Sequence, residues 1–381
     1  MNIFCINHEY PPVGGGAATV SRELLTRLHK RGHRIALLTE VIPGGASGQD
    51  ASEFPIFRVN AGRKSVSEGS YLEFVLFFIK SLAVLRKIHK QFQPDITFAF
   101  FTIPGGLLAL IQKWWYGTPY IVSIRGGDMP GFIIDKKLAF FHFLLTPLIR
   151  LICKKAHLIH TNSERLRELT VKILADKPIK VIPNGVVFDN SPPLQRPVSD
   201  SLRMLFVGRL SKQKNLDTFL LGISKLPECI KENVVFTIVG EGPEKQKLEN
   251  LVKKIGISGR VSFHAWMERK DLKSVYAAHT FSVAPSLDEG MSNSVLESIA
   301  CGCPVLGSRH GSLPWEDEDL KRCWVVNGGM DATLWRNALV SLYETRSEIP
   351  QGFIKMYDFV KQNYRWDSLI IGYENMLLNL K

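Results

Sequence analysis

Two glutamates in the segment SLDEGMSNSVLESIACGCP (286–304) are the residues best suited to chemistry. Glu289 lies in a loop predicted after an apolar strand, and Glu297 lies eight positions later, in the helix predicted to follow. The chain between them passes through Gly290, Met291, Ser292 and Asn293. The start of a helix offers N–H groups that have no acceptor within the helix, and these groups bind anions. A loop carboxylate beside such a helix start indicates a functional site.

Glu297 also has a purely structural interpretation. The sequence Ser294-Val295-Leu296-Glu297 matches a capping box, in which the glutamate bonds back to the residue that caps its own helix. Glu289 has no comparable local partner in the sequence, so a function is favoured for it.

Basic residues gather in a second loop, VGRLSKQKN at 207–215. Arg209, with one or both of Lys212 and Lys214, is predicted to project from the carboxyl end of a strand. A guanidinium that bonds two phosphate oxygens and an ammonium that acts as a point charge can together hold a diphosphate. The alternative is a basic loop that faces only solvent.

A glycine-rich turn, YPPVGGGAATV at 10–20, follows the first predicted strand and opens a helix. Glycines there allow backbone N–H groups to approach an anion. The turn lacks the G-x-G-x-x-G pattern of dinucleotide-binding folds, which argues against a dehydrogenase. A turn of this kind is also common in any doubly wound fold.

The elements that must position these loops alternate between buried strands and helices. The first half of the chain predicts strands at 3–7, 33–39, 95–101, 119–124 and 157–161, with helices at 17–31, 71–90 and 163–175. The second half predicts strands at 203–208, 234–240, 260–263, 280–285 and 303–307. Between the halves lies a proline-rich polar segment, DNSPPLQRPVSD (189–200), which is the predicted linker.

Alternation of this kind predicts parallel sheets built from βαβ units. The predicted fold is therefore α/β, with two tandem Rossmann-like doubly wound domains that face each other across a cleft. Ligands in such sheets bind at the carboxyl ends of the strands.

The amino-acid composition limits the classes of molecule that this protein is expected to bind. The net charge of +12 and the pI of about 9.4 favour anionic partners, while the lack of any zinc-finger, basic-zipper or RNA-binding signature argues against nucleic acid. The six cysteines have no metal-site spacing, and we expect them to be buried free thiols. Because the N-terminal residues lack the features of a signal peptide, we expect a cytoplasmic protein.

Two apolar segments are flanked by basic residues: 72–85 (LEFVLFFIKSLAVL) and 138–149 (LAFFHFLLTPLI). Both are too short or too interrupted to span a bilayer. One interpretation is peripheral contact with an anionic membrane surface, with apolar side chains inserted and basic ones among the head groups. The other is that both segments are core helices.

Six motifs in order resemble the retaining glycosyltransferases of family 4, which have the GT-B fold. The E-x7-E segment with EGMSNSVLE and ACGCPV is similar to the signature of that family. The other motifs are 11–39, VIPNGV (181–186), VGRLSKQKNLDTFL (207–220), VGEGPEK (239–245) and YRWDSLIIGYENML (364–377). The resemblance spans the chain and implies an acceptor-side domain at 1–188, the linker at 189–200, a donor domain at 201–363, and a C-terminal helix at 364–381 that returns to the first domain.

The resemblance also implies roles for single residues. Arg209 and Lys214 would hold the diphosphate of a UDP- or GDP-sugar, Glu297 would bind its ribose hydroxyls, and Glu289 would contact the transferred sugar. Backbone N–H groups would come from Gly290 to Asn293, and Gly15 and Gly16 would approach from the other domain. The family retains the anomeric configuration and generally needs no metal or other cofactor. The implied acceptor is a glycan or a lipid-linked molecule.

One position departs from the family pattern. In SIRGGD (123–128), Arg125 stands where many members have a histidine, while Asp128 is kept. The resemblance implies that Asp128 and Arg125 belong, with Glu289, to the catalytic residues. Arginine stays protonated and cannot act as a base at neutral pH. We therefore expect Arg125 to contact an anionic acceptor or the leaving phosphate. His8 and His160 are alternative proton carriers, although a histidine in an apolar strand is more often part of the core.

Two other functions fit the same architecture. A nucleotide-sugar epimerase would need an acid and a base in the cleft, and the E-x7-E loop with Arg209 and Lys214 favours transfer over that reaction. The presence of Glu289, Glu297, Arg209 and Lys214 together argues against a non-catalytic nucleotide-sugar-binding protein.

Overall fold

The computed structural model describes residues 1–41, 53–63, 69–132, 136–174, 177–188, 201–311, 313, 315 and 317–379. The predicted linker at 189–200 lies outside the described residues.

The described residues form strands and helices in alternation. The strands are β1 (Asn2–Ile6), β2 (Arg34–Glu40), β3 (Ile56–Val59), β4 (Ile96–Phe100), β5 (Tyr120–Ile124), β6 (Leu158–Thr161), β7 (Ile179–Val181), β8 (Leu202–Val207), β9 (Val234–Val239), β10 (Val261–His264), β11 (Phe281–Ala284), β12 (Val305–Ser308) and β13 (Val325–Val326). The helices are α1 (Gly16–Lys30), α2 (Tyr71–Phe92), α3 (Leu107–Tyr116), α4 (Lys136–Lys155), α5 (Glu164–Ile173), α6 (Leu216–Ser224), α7 (Glu228–Lys231), α8 (Lys245–Lys254), α9 (Arg269–Ala277), α10 (Asn293–Ala300), α11 (Glu318–Trp324), α12 (Ala332–Glu344), α13 (Ile349–Asn363) and α14 (Trp366–Leu378).

The chain divides into two compact units. Unit 1 contains Met1–Asn184 and Asp367–Lys381, and unit 2 contains Gly185–Trp366. Each unit holds one parallel sheet, as the alternation of strands and helices predicted.

The sheet of unit 1 has the order β3-β2-β1-β4-β5-β6-β7. Its central strands are mostly apolar: every residue of β4 and of β5 is buried, which is typical of parallel strands covered on both faces. The order reverses direction between β1 and β4, and in open α/β sheets such a switch point is the usual ligand site.

The sheet of unit 2 repeats the same plan with the order β10-β9-β8-β11-β12-β13. Its switch point lies between β8 and β11, which pair in parallel through Phe281 with Met204 and Ser282 with Leu205. The core of this unit includes packed aromatic rings, with the Phe219 ring centroid 5.3 Å from that of Trp335 on α12.

The last helix, α14, packs within unit 1. The sequence predicted that the C-terminal helix returns to the first domain. The Glu374 carboxylate of α14 accepts hydrogen bonds from Arg31 Nε at 2.8 Å and is 2.9 Å from His33 Nε2. Tyr373 on the same helix is fully buried, with its ring centroid 5.2 Å from that of His160.

Two expectations about single residues need correction. Cys229 and Cys323 are exposed free thiols, whereas Cys5, Cys153 and Cys303 are buried as expected. The prediction of six buried thiols failed because Cys229 lies on a four-residue surface helix and Cys323 in the last turn of a seven-residue helix.

Among the described residues, no helix is long and apolar enough to cross a membrane.

Candidate functional site

The candidate site of unit 2 lies at the carboxyl ends of β8 and β11, on either side of the switch point. One loop runs from Gly208 to Asn215 and the other from Pro285 to Ser292. The fold therefore brings together the two segments that the sequence singled out, which lie far apart along the chain.

Close backbone packing holds the first loop in place. Gly208 N–H donates to Val239 O at 3.0 Å, and Leu210 N–H donates to Glu241 O at 2.8 Å. Gly240 has a φ of +147°, and a Cβ at that position would lie 1.9 Å from Gly208 O. Only glycine fits there. Arg209, between these anchored residues, is exposed.

Lys214 and Glu289 form an ion pair across the two loops. The Lys214 ammonium donates to Glu289 Oε1, and only 17% of the lysine side chain and 13% of the glutamate side chain are exposed. Ser286 Oγ donates to the same carboxylate oxygen at 3.0 Å. The expectation that Glu289 lacks a local partner is therefore wrong, because the partner is supplied by the neighbouring loop and by a serine three residues earlier.

The residues on either side of Lys214 tie the two loops together through backbone carbonyls. Gln213 Nε2 donates to Asp288 O at 2.6 Å, and Leu287 N–H donates to Gln213 O at 2.9 Å. Asn215 Nδ2 donates to Pro285 O at 3.2 Å and to Gly329 O at 2.8 Å. Asn215 has a left-handed φ of +52°, which asparagine tolerates better than most residues. Sequence reasoning missed both amides, because the carbonyls they bind belong to loops that are distant along the chain.

The helix that carries Glu297 begins two residues earlier than a capping box requires. Ser292 is the N-cap of α10, Asn293 is its first residue, and the Ser292 side chain makes no capping hydrogen bond. The capping-box interpretation is therefore wrong, because Ser294 lies inside the helix. Glu297 instead lies 3.6 Å from Arg269 Nε on α9. The loop residues Gly290 and Met291 lead directly into this helix start.

The glycine turn of unit 1 lies at the carboxyl end of β1. Gly15 is the N-cap of α1 and Gly16 its first residue. Gly14 has a φ of +93°, and a Cβ there would lie 2.7 Å from Glu9 Cβ, whereas a Cβ on Gly15 would meet nothing within 4 Å. The positive φ and the neighbouring Glu9 side chain therefore favour glycine at 14, and there is space beside Gly15.

Asp128 organises the loop after β5. Its Oδ1 accepts from the N–H groups of Arg125 and Gly126, both at 2.9 Å, and its Oδ2 accepts from Thr102 N–H at 2.9 Å. Burial raises the pKa of the carboxyl, and these backbone donors act in the opposite direction because they favour the charged form. The retained aspartate thus holds this loop against the turn that follows β4.

Two histidines beside these loops are held neutral. Burial lowers the pKa of His8 to about 3, with a smaller contribution from the charge of Arg63. Burial also lowers the pKa of His160 to about 3, and the charge of Arg125 adds to the effect. His160 Nδ1 lies 2.8 Å from Ser123 Oγ and Nε2 lies 3.0 Å from Ile182 O, which fits a neutral ring with its proton on Nε2. His160 is a core histidine.

The structure thus joins Lys214 directly to Glu289 and places Arg209 and the start of α10 on the two loops around them.

Among the described residues, no group of three or more His, Cys, Asp or Glu side chains is arranged to hold a metal ion.

Family models match both halves of the chain. The model for glycosyltransferase family 4 matches residues 14–190, and the model for glycosyl transferases group 1 matches residues 189–375. An uncharacterized glycosyltransferase of Methanocaldococcus jannaschii is 25% identical over 391 aligned residues, covering 97% of this chain and 96% of the relative.

Solved structures show the same fold. Sucrose-phosphate synthase from Thermosynechococcus elongatus superposes with a TM-score of 0.85 at 17% identity, covering 99% of this chain and 98% of the other. HepE of Anabaena, solved in complex with UDP-glucose, superposes with a TM-score of 0.75 at 14% identity over 99% of each chain. The two Rossmann-like domains are those of the GT-B fold, as the sequence predicted.

The packing of the Arg209 loop predicts a large cost for a methyl group at Gly240. Gly240→Ala should destabilise unit 2 by about 3 kcal/mol, since it combines a clash with backbone and a backbone conformation that side chains avoid. Gly256→Ala is the matched control, because Gly256 also has a positive φ, of +71°, but faces open space. Denaturant unfolding should show a clearly smaller loss for the control, and equal losses would contradict the packing argument.

The neutral histidines predict a loss of stability in mild acid. A pKa of about 3 in the folded chain, against about 6.5 in the unfolded chain, means that protons bind preferentially to the unfolded state. The stabilisation is complete above pH 6.5 and is lost as the pH falls towards 3, by about 2 kcal/mol per histidine at pH 5. His160→Gln should make unfolding free energies less dependent on pH between 7.5 and 5. Exposed His264→Gln should not, and an unchanged slope in His160→Gln would refute the assignment.

Proposed function

Because the chain belongs to the glycosyltransferases, with family models that together match residues 14–375, we propose that it transfers a sugar from a nucleoside-diphosphate sugar to an acceptor hydroxyl with retention of anomeric configuration. The observation that carries the proposal is the ion pair between Lys214 and Glu289 at the switch point of unit 2. It places a cation suited to a diphosphate beside a carboxylate suited to a sugar.

We propose the following roles for the donor side. Arg209 and Lys214 hold the diphosphate, the first through the exposed loop after β8 and the second from beside Glu289. The start of α10, from Gly290 to Asn293, supplies backbone N–H groups to the diphosphate and sugar. Glu297 binds the ribose hydroxyls. UDP or GDP is the expected nucleotide, and the fold relative HepE was solved with UDP-glucose bound.

Glu289 faces the positive charge that develops on the transferred sugar. As the bond between the anomeric carbon and the donor phosphate oxygen breaks, the ring acquires oxocarbenium character, which a nearby carboxylate stabilises. The acceptor oxygen attacks on the same face, its proton passes to the departing phosphate oxygen, and the nucleoside diphosphate leaves. The two cations stabilise that leaving group, and on this basis we propose that the reaction needs no metal ion or other cofactor.

On the acceptor side, we propose that Gly15 and Gly16 present backbone N–H groups near the transferred sugar, because there is space beside Gly15. Asp128 keeps the loop after β5 in position through its three backbone hydrogen bonds.

The exposed faces of α2 and α4 support a lipid-linked acceptor at an anionic membrane surface. On α2, Leu72, Val75 and Ile79 are 67%, 52% and 55% exposed and lie on one helix face. On α4, Phe143 and Leu144 are 77% and 55% exposed. Both helices pack against the turn Phe101–Gly106.

Basic residues follow these apolar residues on both helices. The exposed cations are Arg86, Lys87, Lys90, Arg150, Lys154 and Lys155. An apolar face with neighbouring cations fits the interface of an anionic bilayer. We propose a cytoplasmic enzyme that binds the membrane peripherally.

Glu289→Gln tests the transfer reaction. Incubation with UDP- and GDP-sugars and an acceptor extract should release nucleoside diphosphate from the wild type, and the variant should be slower by about 100-fold or more, since it lacks the transition-state charge. The variant should still bind free UDP or GDP at least as tightly, because Lys214 loses a competing anion. Lys214→Ala should weaken that binding.

The matched control is Glu318→Gln, which alters an exposed ion pair with Lys321 elsewhere in unit 2. Unchanged release by Glu289→Gln and Lys214→Ala would refute the site. Conversion of the donor into an isomeric nucleotide sugar would indicate an epimerase, and binding without either reaction a non-catalytic protein.

The membrane proposal predicts flotation with vesicles of phosphatidylcholine containing about one third phosphatidylglycerol. Binding should be strong at low salt and weaker at high salt, because part of it is electrostatic. The double variant Phe143→Ser with Leu144→Ser should bind much less, while Trp266→Ser, which removes a 70% exposed aromatic of unit 2, should not. Absence of flotation at low salt, or self-association through this face in sedimentation, would overturn the proposal.

A further inference from the structure

The guanidinium of Arg125 joins segments of unit 1 that are distant in sequence. Its Nη1 donates to Asn184 Oδ1 at 2.8 Å. Its Cζ lies 4.5 Å from the ring centroid of Phe100, the last residue of β4, in a cation–π contact. It also lies beside the buried hydroxyl of Tyr373, whose pKa it lowers against the larger, opposing effect of burial.

The two polar partners of Arg125 are Asn184 and Tyr373. They lie near the points where the chain leaves unit 1 and enters it again. The first stretch of the unit ends at Asn184, and the second begins at Asp367. Tyr373 lies six residues into that second stretch, on α14, and its hydroxyl donates to Ile182 O at 3.4 Å. The Arg125 side chain therefore contacts both segments next to the boundary of the unit.

The backbone of Arg125 is fixed independently of its side chain. Its N–H donates to Asp128 Oδ1, which also binds Gly126 N–H, while the other carboxylate oxygen binds Thr102 N–H. The loop is thus anchored on one side to the turn after β4, and through the guanidinium to Asn184 and α14 on the other.

A histidine in this position could not make the same set of contacts. An imidazole carries two nitrogens close to its Cβ, whereas a guanidinium carries five N–H donors at the end of three methylenes and stacks flat on an aromatic ring. The groups around Arg125 do not offer a proton relay either. His160 is neutral and already bonded to Ser123 and Ile182, and the Cys5 thiol is fully buried with a raised pKa.

We infer that Arg125 is a positioning residue, which ties the loop Arg125–Asp128 to the two boundary segments of unit 1 and does not carry a proton. The catalytic consequence rests on the proposed function, whereas the structural link can be measured without it. This inference gives Arg125 a structural role, whereas its contact with an anionic acceptor or with the leaving phosphate stays a sequence-based prediction.

Hydrogen exchange tests the link directly. Arg125→His and Asn184→Ala should each speed exchange of backbone amides at Ile182 and along α14, and the double variant should add little to the larger single effect, because both remove one interaction. Asn184→Asp, which keeps an acceptor oxygen, should stay close to the wild type. Exchange that is unchanged in Arg125→His and Asn184→Ala would overturn the inference.

Activity supplies the second readout. Arg125→His, which restores the residue found in many members of the resembled family, should lower kcat by about 10- to 100-fold through misplacement of the loop. The donor KM and the affinity for free nucleoside diphosphate should change less than about threefold, since the groups of unit 2 are intact.

Turnover that is kept or raised in Arg125→His would mean that arginine simply occupies the histidine role. Weaker binding of nucleoside diphosphate or of an anionic acceptor, with exchange unchanged, would mean that Arg125 contacts the ligand. Either result overturns the inference. If the wild type transfers no sugar, the proposed function fails, yet the exchange experiment still decides whether the link exists.

Discussion

Parallel strand pairing is the constraint from which the rest of the structure follows. Because all strands of a sheet run in the same direction, the chain has to return through a helix after nearly every strand, and each return leaves a loop at the carboxyl edge. Where the strand order reverses, between β8 and β11, two of these loops have no helix crossing between them. Lys214 and Glu289 meet there although 75 residues separate them.

Most of the fold was predictable because parallel strands leave a strong pattern. Runs such as ITFAF and YIVSI are buried on both faces, so they appear as mostly apolar segments without an alternating polar face. The predicted ends lie within one or two residues of the observed ones. The strands missed were β3, β7 and β13. The first two lie at the edges of the unit 1 sheet and are only partly buried, and the third has two residues. Partly buried and very short strands leave little hydrophobic signal.

The site was predictable to the extent that charged side chains define it. Glu289, Arg209 and Lys214 stood out by charge and position, whereas Gln213 and Asn215 act by binding backbone carbonyls of other loops, which no local pattern records. The capping-box interpretation of Glu297 failed because a two-residue shift in the helix start changes which serine is the cap. Its contact with Arg269 depends on the packing of two helices and could not be derived from spacing.

The Lys214–Glu289 pair has a consequence for how the proposed donor would bind. Two largely buried charges of opposite sign offset each other's loss of hydration, so neither charge is left without compensation. A diphosphate that binds at Lys214 brings negative charge close to Glu289, and that approach is unfavourable unless the ammonium stays between the two anions. Lys214 would then serve both the leaving group and the carboxylate. Arg209, which is exposed on the neighbouring loop, would be the cation that meets the incoming diphosphate first.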